Sequence, residues 1–115
     1  MKINYNQKIF RPVVNSDNGE VSGETTFYYQ QHDQIVTGSY GGGEILLGHL
    51  IAVVEPDGCL DMRYHHLNRA GELQTGVCRS VPEILPNGKI RLHETWRWTS
   101  GDGSTGHSII EEVDE

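Results

Sequence analysis

The sequence has 115 residues, 36% of them hydrophobic and 14 of them glycine, which is the size and composition of a folded domain with one hydrophobic core. With 9 Lys and Arg against 16 Asp and Glu, the formal net charge is −7, which disfavours nucleic acid as a partner. The longest apolar runs, at 45–47 and 50–54, are far shorter than the roughly 20 residues that cross a bilayer, so no membrane partner is predicted. The residues from Met1 to Tyr5 contain no apolar targeting segment, so a cytoplasmic location is predicted.

Turn signals rich in Gly, Pro, Asn and Asp recur along the chain and separate short segments that carry β-branched and aromatic residues. No segment has the pattern of a helix. We predict strands at 8–14, 24–31, 35–40, 44–55, 59–68, 73–82, 89–99 and 106–113. Consecutive hairpins without a crossover helix predict one all-β domain over residues 1–115, an eight-stranded antiparallel up-and-down meander closed into a barrel, because closure removes exposed edge strands. A β-sandwich is the alternative.

The period-two pattern also predicts which side chains face the barrel interior. Hairpin turns fix the register of the two strands they join. A turn at Asn87-Gly88 places Arg79 opposite Trp96, a turn at 69–71 pairs Asn68 with Leu73, and a turn at Asp57-Gly58 places His49 opposite His66. The candidate ligand-binding residues of this interior are His49, Tyr64, His66, Arg79, Glu94, Trp96 and Trp98. Both cysteines, Cys59 and Cys78, are predicted to face outward, too far apart for a disulfide.

Polar groups in this predicted interior have two interpretations. Arg79 and Glu94 are near-diagonal neighbours, so they form either a structural ion pair or part of a pocket in which a few polar groups orient a small ligand. His49, His66 and Glu94 carry metal-ligating atoms, but a usable site needs three or four converging ligands, and no metal is predicted. The chain has no nucleophile elbow and no phosphate-binding glycine loop before a helix, so no cofactor is predicted and catalysis is not favoured.

Strand four, residues 44–55, is apolar on both of its faces. In the predicted register Ile45, Leu47, His49, Ile51 and Val53 point inward, and Leu46, Leu50, Ala52 and Val54 point outward. A strand that is apolar on both faces is usually covered on both, which predicts a homodimer through Leu46, Leu50 and Val54. The alternative is a β-bulge near Gly48 that reverses the faces and leaves a monomer.

Four segments carry a resemblance to known proteins: 48–51 (GHLI), 60–66 (LDMRYHH), 75–78 (TGVC) and 93–102 (HETWRWTSGD). They resemble short bacterial proteins that carry the label N-acetylglutamate synthase, and the likeness covers nearly the whole chain. The label implies transfer of an acetyl group from acetyl-CoA to glutamate. In fold, this group looks like the avidin and lipocalin type of small barrel, which implies an interior ligand site. Trp96 and Trp98 resemble the aromatic walls of biotin-binding barrels, but no set of biotin-ring hydrogen bonders aligns, and biotin is not predicted.

The sequence therefore favours a barrel that binds a small molecule and has no catalytic activity. One alternative is an enzyme, with either the labelled acetyl transfer or an acid–base reaction that uses Glu94 and His66. The other alternative is a structural or assembly module without a ligand.

Overall fold

The computed structural model describes residues 3–114 and folds them into eight strands joined by turns and one longer loop. The strands are β1 (Lys8–Asn15), β2 (Thr26–His32), β3 (Ile35–Gly42), β4 (Ile45–Val54), β5 (Leu60–Asn68), β6 (Leu73–Ile84), β7 (Ile90–Trp98) and β8 (Thr105–Val113). All their bounds lie within about two residues of those predicted, which is the usual error of boundary prediction. None of the described segments is a helix of the length and apolar character that spans a bilayer.

Each strand pairs antiparallel with the next along the chain, and β1 pairs with β8, so the sheet closes into a barrel. The predicted all-β meander barrel is confirmed, and the β-sandwich alternative is wrong because a sandwich would leave two separate sheets. The prediction of a single domain over 1–115 remains a prediction, and its residues 1, 2 and 115 lie outside the described residues.

The ladder between β1 and β2 is the shortest in the barrel. It contains three residue pairs, from Lys8↔Tyr29 to Phe10↔Phe27, whereas β1 forms six pairs with β8. Pro12 has no N–H to donate to a ladder, and the β1–β2 pairing stops before it. The chain then leaves β1 and returns to β2 through the loop 16–25, which we call the cover loop.

Three hairpin turns contain three residues each, a length that differs by one residue from the turns of the predicted register. In the β6–β7 turn, Leu85 N donates to Lys89 O and Gly88 N donates to Leu85 O, both at 2.8 Å, and Gly88 has a φ of 86°. This is a type I turn followed by a glycine bulge, and it suits Pro86 because the fixed φ of proline matches the first turn position. The β4–β5 and β5–β6 turns have the same hydrogen bonds, with Gly58 and Gly71 as the bulge residues.

A difference of one turn residue shifts the register by one position, and this reverses the faces of every second strand. Cys78, not Arg79, lies opposite Trp96, so the outward prediction for Cys78 is wrong. Cys59 is also buried, and both thiols are free.

On β4 the register shifts between Ile45 and Leu47, so a bulge lies just before Gly48, close to where the alternative prediction places one. Beyond it, the inward residues are Gly48, Leu50 and Ala52, while Leu47, His49, Ile51 and Val53 are exposed. The predicted faces of β4 beyond Ile45 are therefore wrong, with the exception of Leu46, which is exposed as predicted.

One end of the barrel is filled by packed side chains. Phe10, Leu60, Leu92 and Ile110 have no exposed surface there, and Tyr5 closes the end by donating a hydrogen bond from its hydroxyl to Gly58 O at 2.6 Å. Burial of this many large side chains stabilises the barrel by about 1.5–3 kcal/mol for each. The open space of the lumen therefore lies toward the opposite end, beneath the cover loop.

Candidate ligand site

Four aromatic residues that point into the lumen each have a glycine as their cross-strand partner on a neighbouring strand. The cross-strand pairs are Tyr29↔Gly38, Tyr40↔Gly48, Tyr64↔Gly76 and Trp96↔Gly106. At Gly48, Gly76 and Gly106, an added Cβ would lie closer than 3.0 Å to the facing ring. The absence of a side chain lets each ring rest against the barrel wall, which leaves the middle of the lumen open.

A cavity lies among these rings and under the cover loop. The space open to the centres of water molecules is about 50 Å³, which is room for about four ordered waters. Its lining is mostly apolar and aromatic, with a few polar groups: Asn15, Gly19, Glu20, Val21, Phe27, Tyr29, Tyr40, Leu50, Met62, Tyr64, Cys78, Glu94, Trp96, Trp98 and Ser108. This composition is typical of small-molecule sites.

Glu94 is the central polar group of the cavity. Its Oε2 accepts a hydrogen bond from the Ser80 hydroxyl at 2.8 Å. Burial raises the pKa of Glu94 to about 7, although hydrogen bonds from Ser80 and Cys78 act in the opposite direction. No cationic side chain among residues 3–114 offsets the burial. The carboxyl group therefore changes its charge near neutral pH.

The Tyr29 hydroxyl is buried without a hydrogen-bond partner in the described part of the chain. The Tyr29 ring packs on Phe10, with ring centroids 4.7 Å apart, which holds the side chain in place. Burial raises its pKa well above the ordinary value for tyrosine, so the hydroxyl stays neutral. A buried hydroxyl without a partner costs about 1–3 kcal/mol, which a molecule in the cavity can recover by bonding to it.

The cover loop is held over the cavity by His66. Glu20 Oε1 lies 2.7 Å from His66 Nε2, and the Tyr40 hydroxyl lies 2.9 Å from His66 Nδ1. Since an ionised carboxylate only accepts hydrogen bonds, Nε2 donates to Glu20, while Nδ1 shares a hydrogen bond with the Tyr40 hydroxyl, which also lies 3.3 Å from the carbonyl oxygen of His65. Asn68 Nδ2 also donates to Glu20, at 3.1 Å from Oε2. Both ring nitrogens of His66 are thus used to fix the loop.

Both lumen tryptophans use their indole N–H groups within the protein. Trp98 Nε1 donates to the carbonyl of Asn18 in the cover loop at 3.1 Å. Trp96 Nε1 donates to the Ser108 hydroxyl at 2.9 Å, and Ser108 in turn bonds to Asn15. The tryptophans therefore offer a ligand their ring surfaces rather than a hydrogen bond.

Five of the seven candidate residues point into the barrel. Tyr64, Glu94, Trp96 and Trp98 line the cavity, and His66 is buried beside it. A role of these residues in ligand binding remains a prediction.

The inward prediction is wrong for His49 and Arg79, because of the register shift at the turns. His49 lies outside beside His65, with ring centroids 5.9 Å apart. Arg79 lies outside in an ion pair with Glu55, and its side chain is 52% exposed. The predicted Arg79–Glu94 ion pair is therefore absent from the described structure, and Ser80 contacts Glu94 in place of Arg79.

Sequence reasoning missed the contribution of β2, β3 and the cover loop to the cavity. Phe27 and Tyr29 alternate with exposed residues on β2, but the residue between them, Tyr28, is also aromatic, so the period-two signal is weak in the sequence, and the predicted register does not extend to this strand. The residues of the cover loop carry no comparable pattern, because a loop has no fixed period. Glu20 and Val21 can be assigned to the cavity only once the loop is seen across the mouth.

One group outside the cavity has metal-ligating atoms close together. Ligand atoms of Glu55, Asp57 and Cys59 lie within 4.8 Å of one another at the β4–β5 turn. Arg79 already contacts the two carboxylates there, so its guanidinium supplies the positive charge at this place. The prediction that the lumen binds no metal remains a prediction.

Comparison with known proteins bears on this barrel and its cavity. The family model described as Avidin-like protein matches residues 3–113. This chain belongs to the avidin-like family. The resemblance seen in the sequence is thus confirmed for the avidin-like barrel, whereas the N-acetylglutamate synthase activity stays an alternative interpretation. No curated protein and no solved structure gives a significant match to the chain.

Among the described residues, the thiol that lines the cavity of this avidin-like barrel is that of Cys78. Burial raises the pKa of the Cys78 thiol well above its ordinary value, which leaves the thiol protonated and weakly reactive. The acid–base pair suggested by the sequence, Glu94 with His66, would require a free imidazole nitrogen. Both nitrogens of His66 are engaged by Glu20 and Tyr40.

Proposed function

We propose that this protein binds a small, largely apolar molecule in the cavity under the cover loop. The observation that carries the proposal is the Tyr29 hydroxyl, which is buried without a partner in the part of the chain that the structure describes. Buried polar groups are nearly always hydrogen-bonded, so an unpaired one that lines a cavity indicates a place for a partner. The aromatic and aliphatic wall around it supplies the apolar contact area.

Entry of a ligand requires the cover loop to move. The present space holds about four waters, less than most organic ligands need. The loop bonds to the barrel mainly through polar contacts, including Glu20 to His66 and Trp98 to Asn18. Such contacts can break singly without disturbing the packed end of the barrel, so opening of the loop is a local event.

The substitution Val21→Phe tests the proposal by filling the cavity from the cover loop. Val21 lines the cavity, and a larger side chain there occupies the space that a ligand needs. We expect ligands found in a small-molecule thermal-shift screen of the wild type to lose at least tenfold in affinity. Because both tryptophans of the chain, Trp96 and Trp98, line the cavity, intrinsic fluorescence measures the binding directly.

The matched control is Val13→Phe, which makes the same change on an outer position that is 54% exposed. This variant should bind each ligand as the wild type does. Equal affinity of Val21→Phe and Val13→Phe would place the bound molecule outside the lumen. A screen that finds no compound able to change the tryptophan fluorescence would contradict the proposal.

We also propose that the protein self-associates through the outer face of β4. The predicted contact residues Leu50 and Val54 do not form this face, since Leu50 is only 5% exposed and Val54 is half-buried. The exposed apolar residues are Leu46, Leu47, Ile51 and Val53, with Ile35 paired to Val53 on β3. A second copy is the occupant we propose, because a twofold axis through such a row packs it against itself.

The substitution Ile51→Asp is expected to convert a dimer into a monomer in sedimentation velocity at micromolar concentration. Ile51 is 55% exposed, so the barrel should keep its stability. Val13→Asp, on β1, is the control and should leave the dimer intact. Leu50→Asp should instead unfold the protein, since it buries a charge. A wild-type protein that sediments as a monomer would rule out this interface.

A further inference from the structure

The charges that line the cavity are all of one sign. Two carboxyl groups line it, Glu20 and Glu94, and no Lys, Arg or His side chain does so among the described residues. Glu20 already bonds to His66 and Asn68. Glu94 accepts a hydrogen bond from the neutral hydroxyl of Ser80, and it has no cationic partner within residues 3–114. This half-buried carboxylate therefore lacks a counter-ion in the described part of the chain.

Aromatic rings surround the same space. The rings of Trp96 and Trp98 have centroids 5.5 Å apart and meet at 62°, and those of Tyr64 and Trp98 are 5.9 Å apart and meet at 71°. Phe27, Tyr29 and Tyr40 complete the wall. Because the rings stand at steep angles, they face the cavity from several directions. The faces of aromatic rings are negative, and rings arranged in this way attract organic cations.

We propose that the ligand of this cavity is a small organic cation, an ammonium group on an apolar body, with Glu94 as its counter-ion. This inference rests on the proposed function, since it names the ligand class of the same site. The carboxylate of Glu94 supplies the charge pairing, and the faces of Trp96 and Trp98 contact the ammonium group and the carbons next to it. The unpartnered oxygen of Tyr29 accepts one N–H. An anionic ligand would meet two carboxyl groups and no positive side chain.

The affinity for such a cation should depend on pH through Glu94. Burial raises the pKa of Glu94 to about 7. The titratable groups that share the cavity with it are Cys78 from β6, the phenols of Tyr29, Tyr40 and Tyr64, and Glu20 of the cover loop, which bonds to His66 and Asn68. Burial raises the pKa of the thiol and of the three phenols, so these four groups stay neutral. A cation binds the ionised carboxylate, and the fraction ionised rises about tenfold between pH 6 and pH 8. The apparent affinity should rise by the same factor.

The experiment compares three molecules of the same shape: benzylamine, benzyl alcohol and benzoate. Binding to the wild-type protein is measured by tryptophan fluorescence and titration calorimetry at pH 6, 7 and 8. An alkylammonium group stays protonated over this range, so changes in benzylamine binding report on the protein. We expect benzylamine to bind at least tenfold more tightly than benzyl alcohol at pH 8, and benzoate most weakly.

The variants Glu94→Gln and Glu44→Gln assign the effect to one carboxyl group. Glu94→Gln should lose both the preference for benzylamine and its pH dependence, while Glu20 and His66 are unchanged. Glu44 is exposed, and its replacement removes the same charge from the surface, so it should keep both properties. Circular dichroism confirms that each variant is folded.

The outcomes separate this inference from the proposed function. If benzyl alcohol binds as well as benzylamine, or benzylamine binds more tightly at pH 6 than at pH 8, the cavity holds a ligand but the cation inference is wrong. The cation inference is also wrong if Glu94→Gln keeps the amine preference. If none of the three compounds binds at millimolar concentration while the screen finds other ligands of the cavity, the cation inference alone is wrong. If the screen finds no ligand either, the proposed function fails together with the inference.

Discussion

Replacing Glu94 with glutamine is expected to stabilise the ligand-free barrel above pH 7 by about 3 kcal/mol. Burial raises the pKa of Glu94 from 4.5 to about 7, so the folded protein holds this proton more tightly than the unfolded chain does. As the pH rises from 4.5 to 7, the unfolded chain loses the proton first, and the free energy of unfolding falls. A pKa shift of this size lowers the free energy of unfolding by about 3 kcal/mol, and the whole of this loss is present above the folded-state pKa.

The measurement is urea denaturation of wild type and variant from pH 4 to pH 8. The two proteins should differ by less than about 1 kcal/mol at pH 4, where the carboxyl is neutral and glutamine resembles it. Carboxyl groups whose pKa is lowered, such as Glu83 beside His93, change the stability of both proteins equally with pH. The difference in free energy of unfolding between the two proteins, plotted against pH as a difference curve, therefore reports on Glu94 alone. A difference curve that stays flat across this range would show that Glu94 is solvated.

The substitution Gly48→Ala is expected to destabilise the barrel by about 2–6 kcal/mol. An added Cβ would lie closer than 3.0 Å to the ring of Tyr40, which cannot stay against the wall. Overpacking of this kind costs about 1–3 kcal/mol. Moving Tyr40 also breaks its 2.9 Å hydrogen bond to the buried Nδ1 of His66, which adds about 1–3 kcal/mol. The displaced ring enters the cavity, so ligand binding should weaken in parallel.

Gly23→Ala is the matched control for this prediction. An added Cβ at Gly23 meets nothing within 4 Å, and its backbone is not in the left-handed region, so the change should stay within about 0.5 kcal/mol. Combining Gly48→Ala with Tyr40→Leu should cost less than the sum of the two single changes, because the smaller side chain makes room for the methyl group. If the free-energy costs of the two single changes add up in the double variant, the clash between position 48 and the Tyr40 ring is not the cause of the destabilisation, and the prediction is wrong.

The fold could be predicted from the sequence because its signals are local. Turn residues and period-two alternation located all eight strands, and the absence of a crossover helix indicated the meander. It was harder to predict which face of each strand points inward, since one residue more or less in a turn reverses the two faces. Pro86 before Asn87-Gly88 was the available signal, because a two-residue turn makes residue 86 the closing residue of the hairpin, whose N–H donates across to Lys89, and proline has no N–H. Glu94 and Trp96 were placed correctly because they alternate in phase with the apolar residues of their own strand. Tyr64 and His66 were placed correctly because two register shifts separate β5 from β7 and cancel.

The candidate site was less predictable because it depends on contacts between distant parts of the chain. Glu20 meets His66, which is 46 residues away, only because the cover loop crosses the mouth of the barrel. No periodicity in the sequence indicates such a contact. The glycines at 48, 76 and 106 look like ordinary interruptions of strands, and their role becomes visible only when the facing ring is known.

The short ladder between β1 and β2 has a consequence for how the chain assembles during synthesis. β1 forms three pairs with its neighbour β2 but six with β8, so most of its partners reach it late. In a chain whose β8 has not yet paired, β1 and β7 are the two open edges of the sheet, and β1 is held by only its three pairs with β2. Exposed edges can pair with other chains. Pairing of β8 with both β1 and β7 is therefore the step that removes both edges and protects the chain against misassembly.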